Sequence, residues 1–191
     1  MTASPKRPYR RADDTRKLVL EVASDLFYRQ GIRSVGIDRL AAEAGVTTTT
    51  LYRLFGSKDD LVADYLRAAD QAWFAWFDGA AGSGSDALPR LFDELDERTA
   101  QPGYRGCPFR LALAEYPDLD SPVHRAASEN KRVTRARFLE MATAAGADVP
   151  ELVADQLMVV MDGVCASAAD RATSSASGMA SAMVRRLLAR V

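Results

Sequence analysis

Residues 37–55 read IDRLAAEAGVTTTTLYRLF and hold two short helical patterns on either side of a glycine. In the first pattern Leu40, Ala41 and Ala44 are spaced three and four apart, so they share one helical face. Gly45 follows them at the position where a left-handed residue commonly ends a helix. The stretch therefore predicts a short helix that stops sharply at Gly45.

The second pattern begins at Thr47, whose hydroxyl can accept a hydrogen bond from an unpaired N–H at the start of a helix. Leu51 and Phe55 are four residues apart and give this helix its apolar face. Two helices joined by a tight turn form a helix-turn-helix, whose second helix can enter the major groove of DNA. The residues on its other faces are Thr48, Thr49, Thr50, Tyr52 and Arg53.

Helical periodicity continues through most of the 191 residues. We find no alternating strand pattern and no internal repeat, and the 48% of hydrophobic residues is enough for a folded core. The clearest break is the Gly- and Ser-rich segment 79–85. The sequence therefore predicts an all-α protein of about nine helices.

The formal net charge of −1 hides an uneven distribution. The first sixty residues carry 11 Lys and Arg against 8 Asp and Glu, whereas the remainder carries 14 against 18. Lys6, Arg7, Arg10 and Arg11 all precede the first acidic residue. Residues 1–12 therefore predict a basic, flexible arm that contacts phosphates or the minor groove. A disordered, solubilising tail is the alternative.

The two cysteines and the single histidine exclude several kinds of site. Cys107 and Cys165 are far apart in sequence and form no Cys/His cluster, so we expect reduced thiols, no disulfide and no zinc site. His124 could bind a metal or respond to pH, but an ordinary polar role near a helix start is the preferred interpretation. Because no nucleophile, base and orienting group can be assembled, we expect neither an enzyme nor a bound cofactor or metal.

No targeting or membrane segment is predicted. The basic N-terminus is followed by Asp13 and Asp14 rather than by an apolar stretch, so it does not read as a signal peptide. No apolar run approaches the ~20 residues that are needed to span a bilayer. We therefore expect a cytoplasmic protein that makes no membrane contact.

Several motifs at fixed spacing make the N-terminal part of the chain similar to one family. They are FYRQG at 27–31, IDRLAAEAGV at 37–46, TLYRLF at 50–55 and SKDDL at 57–61. From about residue 14 to residue 66 the sequence resembles the TetR family of bacterial transcriptional regulators. The resemblance implies a ligand-responsive repressor that binds a palindromic DNA operator as a homodimer and is released by a small molecule.

The resemblance also implies a division into domains and a set of DNA contacts. A three-helix DNA-binding domain would occupy residues 13–60, and a helical regulatory and dimerisation domain residues 61–191. Lys58 matches a phosphate-binding lysine at the start of a helix, where the positive end of the helix acts on the same anion. The residues assigned to DNA binding are Gly36, Arg39, Thr47, Thr48, Thr49, Thr50, Tyr52, Arg53 and Lys58.

Some positions depart from the pattern of the family. Gly36 stands where a Thr or Ser cap is usual, and Leu54 replaces a common His or Tyr. Thr48 and Thr49 stand where Lys and Gly are frequent, although their hydroxyls and methyls can contact base edges. These departures leave one alternative, a helical small-molecule or partner-binding protein that has lost sequence-specific DNA readout.

Large aromatic and thioether side chains recur through the second domain. They could line a cavity for an apolar or aromatic ligand that a few polar groups hold in place. The alternative is an ordinary packed core, because such stripes are more often core than cavity. The candidate ligand-pocket residues are Trp73, Phe77, Phe92, Phe109, Phe138 and Met141.

The last two predicted helices are the candidates for a dimer interface. The final helix carries an apolar stripe at helical spacing, and the helix before it has apolar residues on two sides. One side can be buried in the protomer and the other against a two-fold partner. The candidate interface residues are Val160, Val164, Met183, Val184, Leu187 and Leu188.

Overall fold

The computed structural model describes residues 11–82, 84, 86–169 and 178–189. Every regular element among them is an α-helix, which confirms the all-α prediction. The nine helices are α1 (Ala12–Gln30), α2 (Ile37–Ala44), α3 (Thr48–Phe55), α4 (Lys58–Ala81), α5 (Ala87–Thr99), α6 (Pro108–Glu115), α7 (Pro122–Ala144), α8 (Pro150–Ala169) and α9 (Met179–Leu188).

The chain divides into two compact units, of which the first ends at Tyr65 and the second begins at Leu66. This division lies inside α4, a little beyond the domain boundary expected after residue 60. Helix α1 begins at Ala12, the last residue of the expected basic arm. Residues 1–10 of that arm lie outside the described residues, so the arm remains a prediction.

The core of the first unit joins α1, α2 and α3 to the start of α4. Val19 and Leu40 have no exposed surface, and Leu51 is almost as deeply buried. The ring of Phe27 meets that of Tyr65 edge-on, with centroids 5.7 Å apart. Eight-residue helices are marginal in isolation. Burial of these side chains, about 1.5–3 kcal/mol each, is therefore what stabilises α2 and α3.

The core of the second unit is built around three phenylalanines from different helices. The rings of Phe92 and Phe138 stack with centroids 5.9 Å apart, and Phe77 lies 5.7 Å from Phe138. Helix α9 is attached to α5 at the edge of this core, where Arg185 Nη1 lies 2.9 Å from Asp86 Oδ1. The second unit is thus a packed helical bundle, to whose core α9 contributes Ala180 and Val184.

Helix α8 corrects the expectation that no stretch of the chain could span a bilayer. By length and composition alone, its 20 residues would suffice. Its apolar residues lie on two faces: Leu157 and Met161 are buried in the protomer, whereas Leu152 and Val159 are exposed. A single such helix is weak evidence for a membrane segment, because a core helix of a soluble protein meets the same criterion.

Candidate DNA-binding site

The turn between α2 and α3 depends on one left-handed residue. Gly45 has φ 64° and ψ 34°. Its N–H donates to the carbonyl of Ala42 at 3.1 Å, and the N–H of Val46 donates to the carbonyl of Ala41 at 2.9 Å. These bonds satisfy carbonyls that the end of a helix otherwise leaves unpaired. The chain can then reverse direction within the few residues that separate the two helices.

Replacing Gly45 by Ala should destabilise the protein by about 1–2 kcal/mol, because a Cβ atom clashes with the backbone in the left-handed region. Urea unfolding followed by circular dichroism measures this loss. Gly36→Ser is the matched control. Gly36 has φ −77°, and a Cβ atom there would meet nothing within 4 Å, so the change should stay within a few tenths of a kcal/mol. Equal stability of Gly45→Ala and wild type would contradict the role given to Gly45.

The start of α3 is capped by a threonine, as the sequence predicts. Thr47 Oγ1 accepts a hydrogen bond from the N–H of Thr50 at 3.1 Å. The hydroxyls of Thr47 and Thr50 are also 2.9 Å apart and share a hydrogen bond. Loss of an N-cap of this type costs about 1 kcal/mol. Thr47 and Thr50 therefore hold the first turn of α3 together at the end where contacts with base edges are expected.

The two faces of α3 differ sharply in exposure. Leu51 and Phe55 are buried against the rest of the unit, whereas Thr49, Tyr52 and Arg53 are exposed. Tyr52 leaves 53% of its surface accessible, which is unusual for so large an aromatic side chain. Thr48 is half-buried. Helix α3 thus presents a polar and aromatic face to solvent while its apolar face fixes its position.

Arg16 of α1 fixes the other end of α3, a role that the sequence analysis missed. Its Nη1 donates to the carbonyl of Leu54 at 2.5 Å, and its Nη2 forms an ion pair with Asp64 of α4. The guanidinium carbon also lies 4.4 Å from the centroid of the Phe55 ring. One side chain therefore ties the C-terminal end of α3 to both α1 and α4. Its partners are 38 and 48 residues away in sequence, so no local pattern indicates it.

Lys58 is placed at the first residue of α4, as the sequence predicts, and is half-buried. Its Nζ donates to the carbonyl of Ile32 at 2.9 Å, which ties the start of α4 to the segment between α1 and α2. An ammonium group has three N–H donors, so a bond to a carbonyl is compatible with a further bond to phosphate. The same end of α4 is capped by Ser57, whose Oγ accepts from the N–H of Asp60 at 3.0 Å.

Gly36 and Arg39 complete the set of candidate DNA contacts. Gly36 occupies the N-cap of α2 in an extended conformation and provides no side-chain hydrogen bond. Arg39 is exposed, and its Nη1 donates to Oε1 of Gln30 at 2.6 Å. The nine assigned residues all lie in the first unit, at the starts of α2, α3 and α4 and along α3. Their contacts with DNA remain a prediction.

A comparison with known families agrees with this geometry. The family model for bacterial regulatory proteins of the tetR family matches residues 19–65. The crystal structure of a TetR-family transcriptional regulator from Streptomyces coelicolor is 35% identical in sequence. The match covers 94% of this chain and 96% of that protein, with a TM-score of 0.86. The chain belongs to the TetR family.

Curated proteins of related sequence are regulators as well. The HTH-type transcriptional regulator YjdC of Escherichia coli is 28% identical over 153 residues, which are 78% of this chain and 80% of YjdC. The HTH-type transcriptional repressor KstR2 of Mycobacterium tuberculosis is 30% identical over 90 residues, 44% of this chain and 45% of KstR2. The protein is therefore a DNA-binding transcriptional regulator of the helix-turn-helix type, and these similar proteins are regulators rather than enzymes.

Five of the six candidate ligand-pocket residues of this TetR-family protein belong to one core. Phe77, Phe92 and Phe138 are buried in it, and half-buried Trp73 and Met141 pack against it, while Phe109 is also buried. The Nε1 atom of Trp73 is buried and has no hydrogen-bond acceptor among the residues that the structure describes. None of the six residues lines the cavity of about 740 Å³ that lies in the second unit between α8, α9 and the C-terminal end of α5. A ligand pocket among these six residues remains a prediction.

The candidate dimer residues differ in how much surface they offer to a partner. Met183 is exposed, and Val160, Val164, Leu187 and Leu188 are half-buried. Val184 has no exposed surface because it packs in the core of its own protomer, so it supports α9 rather than contacting a partner.

Proposed function

We propose that this regulator is a homodimeric, ligand-responsive repressor, which binds a palindromic operator and is released by a small molecule. The observation that carries the proposal is the exposed face of α3, on which Thr49, Tyr52 and Arg53 are accessible to solvent. Thr47 fixes one end of this helix and Arg16 the other. A recognition helix that is held in this way can place side chains against base edges in the major groove.

A homodimer is supported by the distribution of exposed apolar side chains. In the part of the chain that the structure describes, most of the large hydrophobic residues with high exposure belong to one region, α8, α9 and the residue before α8. Exposed apolar side chains that are concentrated on two helices in this way are typical of an interface. Two-fold pairing through it would let two recognition helices read half-sites about one DNA turn apart. These exposed residues are Val149, Leu152, Val159, Met179 and Met183.

Repression is supported by the name of one relative, the repressor KstR2. Release by a ligand follows if the ligand binds best to an arrangement of the dimer whose DNA-binding units do not fit successive major grooves. A regulator that works in this way acts on DNA in the cytoplasm, where a small apolar molecule would reach it. The ligand then changes the population of the two arrangements, and no chemical step is needed.

Selection of bound DNA from a random pool with the full chain tests the proposal. We expect a palindromic consensus, because a two-fold dimer reads the same half-site twice. Repression is then tested with a reporter gene whose promoter carries that consensus, and we expect the protein to lower expression of the reporter. Enrichment of a single asymmetric site, or activation of the reporter, would overturn the proposed function.

Lys58→Ala should weaken binding to every DNA sequence by a similar factor. One lost phosphate contact per protomer should reduce the slope of log affinity against log salt by about 1 for each protomer bound. Fluorescence anisotropy at several salt concentrations measures both effects. Arg132→Gln is the matched control, because it also removes one positive charge but lies on α7, where Arg132 pairs with Glu129. If Lys58→Ala left the salt dependence of affinity unchanged, Lys58 would not be one of the DNA contacts.

A further inference from the structure

Helix α3 has few of the side chains that most often read bases. Its sequence is TTTLYRLF, in which Arg53 supplies paired N–H donors but lies in the last turn. Arg and Lys recognise guanine with two donors, whereas Asn and Gln recognise adenine with a donor and an acceptor. In a helix-turn-helix the N-terminal residues of the recognition helix contact the base edges. At that end α3 and its cap hold only threonines, Thr47 to Thr50.

Two of the threonine hydroxyls are already engaged within the helix. The hydroxyls of Thr47 and Thr50 share a hydrogen bond at 2.9 Å, and Thr47 Oγ1 accepts from the N–H of Thr50 at 3.1 Å. A base that took over the hydroxyl of Thr47 would uncap α3. The methyl group takes no part in these bonds, because methyl and hydroxyl occupy different staggered positions on Cβ. The group that exposed Thr47 can offer to DNA without uncapping the helix is therefore its methyl.

Thr49 lies on the exposed face that continues through Tyr52 and Arg53, three and four residues further along. A hydroxyl both donates and accepts, so a hydrogen bond from Thr49 would not distinguish one base from another. The methyl of Thr49 does distinguish bases, because thymine alone presents a methyl group in the major groove. The exposed ring of Tyr52 adds apolar surface to the same face. The N-terminal part of this face is therefore suited to apolar contact with thymine.

We propose that α3 recognises thymine through its 5-methyl group, and that the methyls of Thr47 and Thr49 are the contacts that determine this specificity. The inference rests on the proposed function in one respect, namely that α3 enters the major groove of a selected operator. Each half-site then contains thymine opposite the N-terminal turn of α3. Discrimination at that base pair comes from the burial of methyl groups rather than from a hydrogen bond.

Removal of single methyl groups from the DNA tests the proposal with the full-length protein. Deoxyuridine in place of thymidine removes the methyl and keeps every hydrogen-bonding group of the base pair. We expect affinity, measured by fluorescence anisotropy, to fall about fourfold for one contacted thymine in one half-site and about fifteenfold for the same thymine in both. Deoxyuridine in the flanking DNA is the control and should change nothing. Unchanged affinity at every thymine of the half-site would overturn the proposal.

Substitutions that separate the methyl from the hydroxyl identify the protein side of the contact. Thr49→Ser keeps the hydroxyl and loses the methyl, so it should weaken binding and should no longer respond to deoxyuridine at its own position. Thr49→Val keeps a methyl and should retain both the affinity and the response. Thr47→Ser keeps the cap and should lose the response at a second position. Thr143→Ser is the matched control, because Thr143 is exposed on α7.

Circular dichroism confirms that each variant is folded before its affinity is measured. Weak binding by Thr49→Val together with wild-type binding by Thr49→Ser would identify the hydroxyl as the contact and overturn the proposal. Serine variants of Thr47 and Thr49 that both keep the full response to deoxyuridine would overturn the assignment to these residues.

The outcomes for this inference and for the proposed function are distinct. An asymmetric consensus whose affinity depends on thymine methyls would overturn the palindromic operator and support the thymine contacts. A palindromic consensus without methyl dependence would support the operator and overturn the thymine contacts. Failure to select any sequence would overturn both.

Discussion

Arg53→Ala should weaken operator binding roughly thirtyfold or more. Arg53 is exposed on the solvent face of α3, one residue after Tyr52 and on a helix that both Thr47 and Arg16 hold in place. A base-reading arginine is worth about 1–3 kcal/mol at each site, and a homodimer loses the contact twice, or about 2–6 kcal/mol. Fluorescence anisotropy with the selected operator, at one fixed salt concentration, measures the loss.

Arg53→Lys distinguishes the two contacts that Arg53 could make. A lysine keeps the positive charge but loses the paired N–H donors that match a guanine edge. If Arg53 reads a base, the lysine variant should bind nearly as weakly as the alanine variant and should lose discrimination at one operator position. If Arg53 holds a phosphate, lysine should restore most of the affinity. Wild-type affinity in Arg53→Ala would exclude both contacts.

The helix-turn-helix could be predicted from sequence because its determinants are local. The left-handed backbone conformation at position 45 favours glycine, and Thr47 caps α3 by accepting from the N–H of Thr50, three residues further along the chain. Such effects depend on the identity of near neighbours in the chain, so a short stretch of sequence contains them. The exposure of Tyr52 and Arg53 follows from the same periodicity, since Leu51 and Phe55 define the buried face. The exposed face of α3 could therefore be predicted residue by residue, whereas its assignment to DNA contacts came from the resemblance to the TetR family and remains a prediction.

The contacts by which Arg16 fixes the C-terminal end of α3 could not be predicted, because they join distant parts of the chain. Arg16 contacts Leu54 and Asp64 across 38 and 48 residues. In sequence it is one of several charged residues in the first turns of α1, and nothing in its spacing separates it from its exposed neighbour Lys17. Only the packing of α1 against α3 and α4 gives the guanidinium a carbonyl, a carboxylate and an aromatic ring at once.

Whether the aromatic residues of the second domain line a cavity or fill a core could not be predicted from the sequence either. Phe77, Phe92 and Phe138 could have surrounded a space, but their rings pack against one another. A cavity of about 740 Å³ lies instead where small and flexible side chains meet, beside Gly163 of α8 and Met183 of α9. Aromatic periodicity shows which residues face inward, whereas an open volume depends on how closely three helices approach. The sequence therefore indicated apolar surface in this domain without indicating where it remains uncovered.

Val159→Glu should dissociate the proposed dimer and abolish tight operator binding. Val159 is 72% exposed in the protomer, so the substitution leaves the fold of each chain intact. In a two-fold interface across α8 it would bury an unpaired carboxylate from each copy, at several kcal/mol per ion. The dimer dissociation constant should rise more than a hundredfold. Sedimentation velocity over a range of protein concentrations measures the change, and anisotropy measures the loss of operator affinity.

Leu119→Glu is the control for this experiment. Leu119 is also highly exposed, at 70%, but it belongs to the loop between α6 and α7 rather than to α8 or α9. It introduces the same charge and should leave both the dimer and operator binding unchanged. A Val159→Glu protein that remains dimeric would show that the apolar face of α8 is not the interface. A Val159→Glu monomer that binds the operator as tightly as wild type would show that pairing is not needed for recognition.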